Sequence, residues 1–458
     1  MVTPAGRVKV LFFGVVLYEM LRIIRQFMIR GRMVPMARFD ADPFLSRREW
    51  LGRGAGLTFA FTKRIAAGAA QSKRIAAVIT EYRQDSHADV IVGRLLEGYE
   101  YNGRHQTPQV EVVSMYTDQV PSNDMSRAMA AKHGVKICST IRNALVGDKG
   151  LAVQGVVLIG EHGNYPENEK GQKLYPRYEL FKQIVDVFSE TGHSAPVFCD
   201  KHLSYDWQKA KWMYDQSRTL HFPLMAGSSI VMTWRRPPLE LAMEAPVEKS
   251  VAAFYSDREA YGFHALEAHQ SMVERRKGGE TGIRAVTCLE GAEVWRWTDR
   301  NSWAGGLLET ALSRCEERTH GSPRDVVKSP VLFVLEYSSG LESAVYLLSG
   351  LIEQAVFAAT LRDAAEPQST ELWLQPTRPF SHFSGLVHYI EQMIVTGRTA
   401  YPVERTLLTT GTLAALMDSA YQGHRRLETP HLNMKYRAPK ESLFSRGPVP
   451  AAGRQAHS

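Results

Sequence analysis

Three polar side chains in a row, Asp200, Lys201 and His202, interrupt a stretch that otherwise reads as strand, turn and helix. Pro196 to Cys199 are apolar and short, as a buried parallel strand requires, and Trp207, Ala210, Met213 and Ser217 recur at helical spacing. Phe222 to Ala226 is then a second buried strand, closed by Gly227. Open α/β sheets bind ligands beyond the carboxyl ends of their strands, so a lysine in this turn can donate to a bound oxygen or carbonyl. Glu161 and His162 follow the apolar run 153–160 and should emerge at the same edge, with Tyr165, Asn164 and Lys173 adding donors that suit a sugar. Further along, His264 and Glu267 are three residues apart, so a helix places them on one face. A histidine titrating near its ordinary value of ~6.5 suits proton transfer from an alcohol. Arg235, in TWRRPPLE, offers a guanidinium to a polyol or an anion.

The elements that must position these groups alternate. Segments 74–82, 110–118, 135–139 and 153–163 read as strands, and 86–99, 124–135 and 177–192 as helices, which predicts a doubly wound parallel sheet. From Gly282 onward β-branched and aromatic runs predict a large open, mostly antiparallel sheet: GIRAVTCLEG, AEVWRW, the hairpin PVLFVLEYSSGLESAVYLLSG, EQAVFAATL and TELWLQ. The fold class is therefore α/β: a Rossmann-like sheet followed by an α+β domain.

A dinucleotide site needs glycines in the first turn so that backbone can approach the pyrophosphate. The turn here is TEYRQDSH, residues 80–87, without a glycine. Its side chains would crowd the phosphates and Glu81 would repel them, with Arg83 offsetting part of that repulsion. Asp118 ends the second strand, where an acid would hold ribose hydroxyls.

The order of these segments resembles the glucose–fructose oxidoreductase/inositol dehydrogenase (Gfo/Idh/MocA) family over most of residues 74–432. AAKHGVKICSTIRNAL followed by VQGVVLIGEH resembles its third and fourth strands with the short helix between them. VFCDKHLSYDWQKAKWMYDQSRTLHFPLMAG resembles its E-K-P stretch, with Lys201 on the active-site lysine, Asp200 replacing the glutamate and His202 the proline. His264 falls on the histidine of a D-x-x-x-H element; the aspartate slot is Ala260, with Glu259 beside it. Residues 382–430 look like the family's closing helix pair. The resemblance implies hydride transfer between a tightly bound NAD or NADP and a sugar or polyol. Lys201 and His264 would be catalytic, Arg83, Asp118, Glu161 and His162 would lie toward the cofactor, and Tyr165, His202, Arg235 and Glu267 toward the substrate. It also implies that the large sheet supports the substrate and mediates homo-oligomerisation.

Two other readings stay open. The same edge can serve non-redox or metal-assisted sugar chemistry: Glu81, His87, Glu161, His162, His202, His264 and Glu267, if brought to one cleft, would suit Zn, Mn or Fe, although no HExxH-like spacing supports this. Alternatively the chain is a sugar-binding relative without catalysis. At 458 residues, 44% hydrophobic and 22% charged, the composition is that of a two-domain globular protein. The net charge of +7 is scattered without interleaved aromatics, which argues against nucleic acid. The four cysteines show no CxxC spacing. The expected organisation is a leader over 1–72, a Rossmann-like domain over 73–236, an α+β domain over 237–432 and a polar tail over 433–458, structureless over about its last fifteen residues. SRREWL at 46–51 resembles a twin-arginine export signal, which would make the protein periplasmic or exported, the alternative being cytoplasmic; translation starting at Met33 or Met36 would put the arginine pair at a normal distance from the start. The apolar run 10–24 is shorter than the ~20 residues that span a bilayer.

Overall fold

A computed structural model describes residues 72–451, so the expected leader, its arginine pair and the last seven residues of the tail lie outside the described residues. The parallel sheet consists of β1 (Lys73–Ile79), β2 (Val110–Thr117), β3 (Lys136–Cys138), β4 (Val156–Ile159), β5 (Val197–Asp200) and β6 (Leu224–Gly227). Their spatial order is β3-β2-β1-β4-β5-β6, all parallel, so the winding reverses between β1 and β4. In sheets of this kind the crevice for a ligand opens at that reversal.

The first helix, α1 (His87–Glu97), begins where Ser86 accepts a hydrogen bond from the Asp89 amide and ends at Gly98. Its buried face, Ala88, Val90, Ile91, Val92 and Leu95, packs against Ile75, Ala77 and Ile79 of β1. Helices α2 (Ser126–His133), α3 (Ile141–Leu145), α4 (Arg177–Thr191) and α5 (Trp207–Thr219) complete the alternation. Each fully buried Ile, Val or Leu in such a face contributes roughly 1.5–3 kcal/mol.

The second sheet has eight strands: β7 (Trp234–Arg236), β8 (Val247–Phe254), β9 (Ile283–Glu290), β10 (Val331–Tyr337), β11 (Glu342–Leu347), β12 (Ala355–Leu361), β13 (Gln368–Trp373) and β14 (Leu427–Glu428). They lie in the order β7-β13-β12-β8-β11-β10-β9-β14, with only β8 and β11 parallel. This is the α/β plus α+β class expected from the sequence. One face packs on α6 (Ala260–Val273) and α10 (Glu404–Tyr421) through Phe263, Leu266, Phe333, Phe357, Leu413 and Leu416. The other is covered by α7 (Ala292–Arg300) and α8 (Ser302–Leu312), through Val294, Ala304, Leu307, Leu308 and Ala311.

Three expectations change. AEVWRW is the start of helix α7, not a strand; Val294 and Thr298, four apart, are its buried pair, so helical period outweighs the tryptophans' strand preference. Helix α9 (His382–Thr396) belongs to the second half in sequence, yet Phe383, Leu386, Val387, Ile390 and Ile394 join the core of the parallel sheet. The tail is not structureless up to residue 451. Phe444 is buried, the Ser445 amide donates to the carbonyls of Met232 and Thr233, and Trp234 Nε1 donates to the Gly447 carbonyl. Among the described residues no helix is long and apolar enough to cross a membrane.

Candidate active site

Strands β1 and β4 leave the sheet together, tied by Thr80 Oγ1 donating to the Glu161 carbonyl at 2.7 Å. Glu161 then turns into the crevice, where Lys201 Nζ donates to its Oε1 at 2.6 Å and Arg177 Nη2 donates to its Oε2. All three side chains are buried. Burial raises the Glu161 pKa, but Lys201, Arg177 and then His87 and His162 outweigh it and hold the carboxyl well below the usual range. The approach of Arg177 depends on Gly160, since a Cβ there would sit 2.5 Å from Arg177 Cγ. The backbone is left-handed at three non-glycine residues of this edge, Asp85 (φ 61°), His162 (φ 69°) and Lys201 (φ 59°). Such conformations persist where surrounding contacts over-determine them, and they cluster at functional sites.

From Arg177 the charges continue inward. Its Nη1 lies 3.3 Å from His202 Nε2, which is 3.7 Å from Glu259 Oε1. Burial and then Arg177 push His202 well below its ordinary value. Burial pushes Glu259 up to about 7, against the pull of Arg177. His202 Nδ1, Arg177 Nε and Glu259 Oε1 are buried without a hydrogen-bond partner.

On α6, His264 Nδ1 lies 2.5 Å from Ser228 Oγ, while its Nε2 has no partner among the described residues. Burial, then the charges of Lys201 and His87, push His264 well below its ordinary value, which favours the neutral imidazole and disfavours its protonated form. This corrects the expectation of a histidine titrating near its usual value. Glu267, one turn on, does not share that role. Its Oε1 accepts from Thr409 Oγ1 at 2.8 Å and its Oε2 faces Gly227, where a Cβ would lie 2.7 Å away. It is a fully buried strut joining α6 to α10 and β6.

His87 was not singled out from the sequence as a site residue of its own. Its Nδ1 lies 2.7 Å from Asp200 Oδ2, its ring is edge-on to His162 and Phe383, and its Nε2 has no partner among the described residues. A polar residue opening α1 opposite an acid at the end of β5 was the available signal. Of the other expected residues, His162 lies in the crevice, its Nδ1 3.3 Å from Arg83 Nη2, and burial followed by His87 pushes it down to about 4. Tyr165 lies instead over the end of β2, where its hydroxyl donates to Asp118. Arg235 lies elsewhere: it is buried with its guanidinium 4.6 Å from the Phe444 ring centroid and Nη1 donating to the Leu239 carbonyl. Burial pushes it down to about 9. Among the described residues no three His, Cys, Asp or Glu groups are arranged to hold a metal ion.

Comparison with solved structures fixes what this architecture is. GenD2 from gentamicin A biosynthesis, in complex with NAD, superposes with a TM-score of 0.50 at 15% identity, over 79% of this chain and 98% of that chain. The chain has the Gfo/Idh/MocA two-domain fold. Similar structures with the same coverage pattern include myo-inositol 2-dehydrogenase from Lactobacillus plantarum, at a TM-score of 0.48 and 11% identity over 78% of this chain and 99% of that one. Biliverdin reductase from Synechocystis with biliverdin and NADP+ aligns at 0.43 and 12%, over 76% and 99%. No family model matches the chain, and no curated protein does.

In this fold a dinucleotide would lie along the turn after β1, and the residues there do not fit one laid in that way. Glu81 holds Arg83 Nε at 2.7 Å, while Asp85 and Asp89 hold Arg378. Three carboxylates thus face two guanidiniums already engaged, and a like-charge pair at 4 Å near a surface costs about 4 kcal/mol. Both oxygens of Asp118, where ribose would bind, accept tyrosine hydroxyls, Tyr116 at 2.9 Å and Tyr165 at 2.7 Å.

Proposed function

We propose that this chain is an acid–base enzyme on an oxidoreductase fold, acting at a hydroxyl-bearing carbon of a sugar or polyol. The observation that carries the reading is the buried Lys201–Glu161 pair at the strand reversal, with the neutral imidazole of His264 in its field. Lys201 Nζ is the donor to a substrate oxygen. His264, its ring fixed by Ser228 through Nδ1, takes the hydroxyl proton on Nε2.

Two forms of this chemistry follow. The shared fold supports hydride transfer from a CH–OH group to NAD or NADP, with these residues handling the proton alone. The residues of the turn after β1 favour a second form without a redox cofactor, in which His264 takes a proton from the substrate and returns it to a neighbouring atom of the same molecule, so that no electrons leave it. Export through the twin-arginine pathway and homo-oligomerisation belong to the proposal as expectations from the leader and the resemblance.

The deciding experiment is nucleotide content. The protein is purified from a bacterial host and denatured, and the supernatant is assayed for NAD and NADP. About one equivalent selects hydride transfer; none, with no rise in Tm on adding either nucleotide, selects the second form. Turnover of a sugar or polyol that survives intact in both Lys201→Ala and His264→Ala overturns the assignment itself.

A further inference from the structure

At the amino end of α1 a Rossmann-like sheet turns its amides toward phosphate. Here the chain itself uses the amide of Asp89 and those of the turn that leads into the helix. The amides of Arg83 and Asp89 donate to Ser86 Oγ, that of Asp85 donates to Asp89 Oδ2 at 3.0 Å, and that of Ser86 donates to the Arg83 carbonyl. The place of the adenosine is filled as well. Tyr165 lies on Asp118, and Gln119 exchanges two hydrogen bonds with the backbone of Asn164, closing the loop after β4 over the end of β2. In the position that would face the phosphates stands His87, its Nδ1 on Asp200 and its ring 15% exposed.

We propose that this edge refuses phosphate, and that the crevice takes a small polyhydroxylated ligand without phosphate groups, to which His87 presents its unpartnered Nε2. This rests on the crevice being the substrate site, as proposed above, and selects the form of the chemistry that needs no dinucleotide. Asp200 orients the ring in the manner of a carboxylate–histidine pair, leaving Nε2 to accept or return a proton. It makes His87 a third proton-handling group beside Lys201 and His264.

The test uses the full-length protein. NADH, NADPH, ADP and inorganic pyrophosphate are titrated in turn by calorimetry, and the expected result is no saturable binding at millimolar concentration. Separately, the native protein is treated with diethyl pyrocarbonate and its peptides are mapped by mass. The expected result is acylation of His87 with the buried His202 and His269 spared, and a changed extent at His87 in Asp200→Asn. Micromolar binding of either reduced nucleotide overturns the proposal and leaves Lys201 and His264 standing in the hydride-transfer form. An unreactive His87 overturns its role. Silent titrations together with full turnover in Lys201→Ala and His264→Ala overturn the assignment of this crevice as the active site instead.

Discussion

Lys201 reaches Glu161 from a left-handed backbone: its φ is 59°, and its Nζ lies 2.6 Å from Glu161 Oε1. The conformation is maintained because the Lys201 amide donates to the Gly227 carbonyl at 3.2 Å, fixing the turn against the end of β6. The ammonium is thereby delivered to a carboxylate that also holds Arg177.

Glu161→Gln should therefore be costly. It strands two buried cations, and breaking a buried pair from one side costs about 3–5 kcal/mol. Urea unfolding should show a loss of that size, with Lys201→Met less damaging because it removes a charge that needs a partner. Equal stability of Glu161→Gln and wild type would show that the pair is not buried as described.

Gly160→Ala tests the close approach of Arg177. The new Cβ would lie 2.5 Å from Arg177 Cγ, next to a side chain with no free space. Overpacking of this kind costs about 1–3 kcal/mol, and Tm should fall accordingly.

Glu259 makes stability depend on pH with a definite sign. Its folded value of about 7 lies above its unfolded value of about 4.3, so the folded state binds the extra proton between them. Its stabilising contribution is complete below the unfolded value and lost as pH rises through the folded one, leaving a cost of about 4 kcal/mol above it. Glu259→Gln should gain on wild type in Tm from mildly acid to neutral pH and then run parallel. A difference that stays constant from pH 4 to pH 8 contradicts the burial of this carboxyl.

The tail supplies a fourth prediction. Phe444 is 3% exposed and lies under the guanidinium of Arg235. Phe444→Ala should destabilise the protein by about 3 kcal/mol, as for a core aromatic. A melting curve unchanged by this substitution would place the segment outside the fold.

The sequence was most readable where period and turn residues agree. The parallel strands and α1, with its Ser86 cap, are almost continuous apolar runs bounded by polar turns, and they lie where expected. Lys201, Glu161 and His162 could be placed at one edge because each ends or follows a strand. What spacing could not show was which side chains consume one another. Glu267 shares a helix with His264, but the facing Thr409 and Gly227 turn it into a strut. Arg235 reads as an exposed guanidinium until Phe444, more than two hundred residues away, closes over it. Tyr165 on Asp118 and His87 on Asp200 are likewise meetings of distant segments that no local pattern encodes.

The covering of the eight-stranded sheet on both faces has a consequence for self-association. Helices α7 and α8 occupy the surface on which a second sheet would stack, and α6 and α10 occupy the other. Its margins offer little either: β14 is two residues long, and β7 is three and has Ser445 bridged beside Trp234. Short or covered margins are how sheets escape templating by another chain. A second copy that approached this sheet would therefore meet helices, loops or the tail first, and clipping the tail would uncover Trp234 at the margin the tail guards.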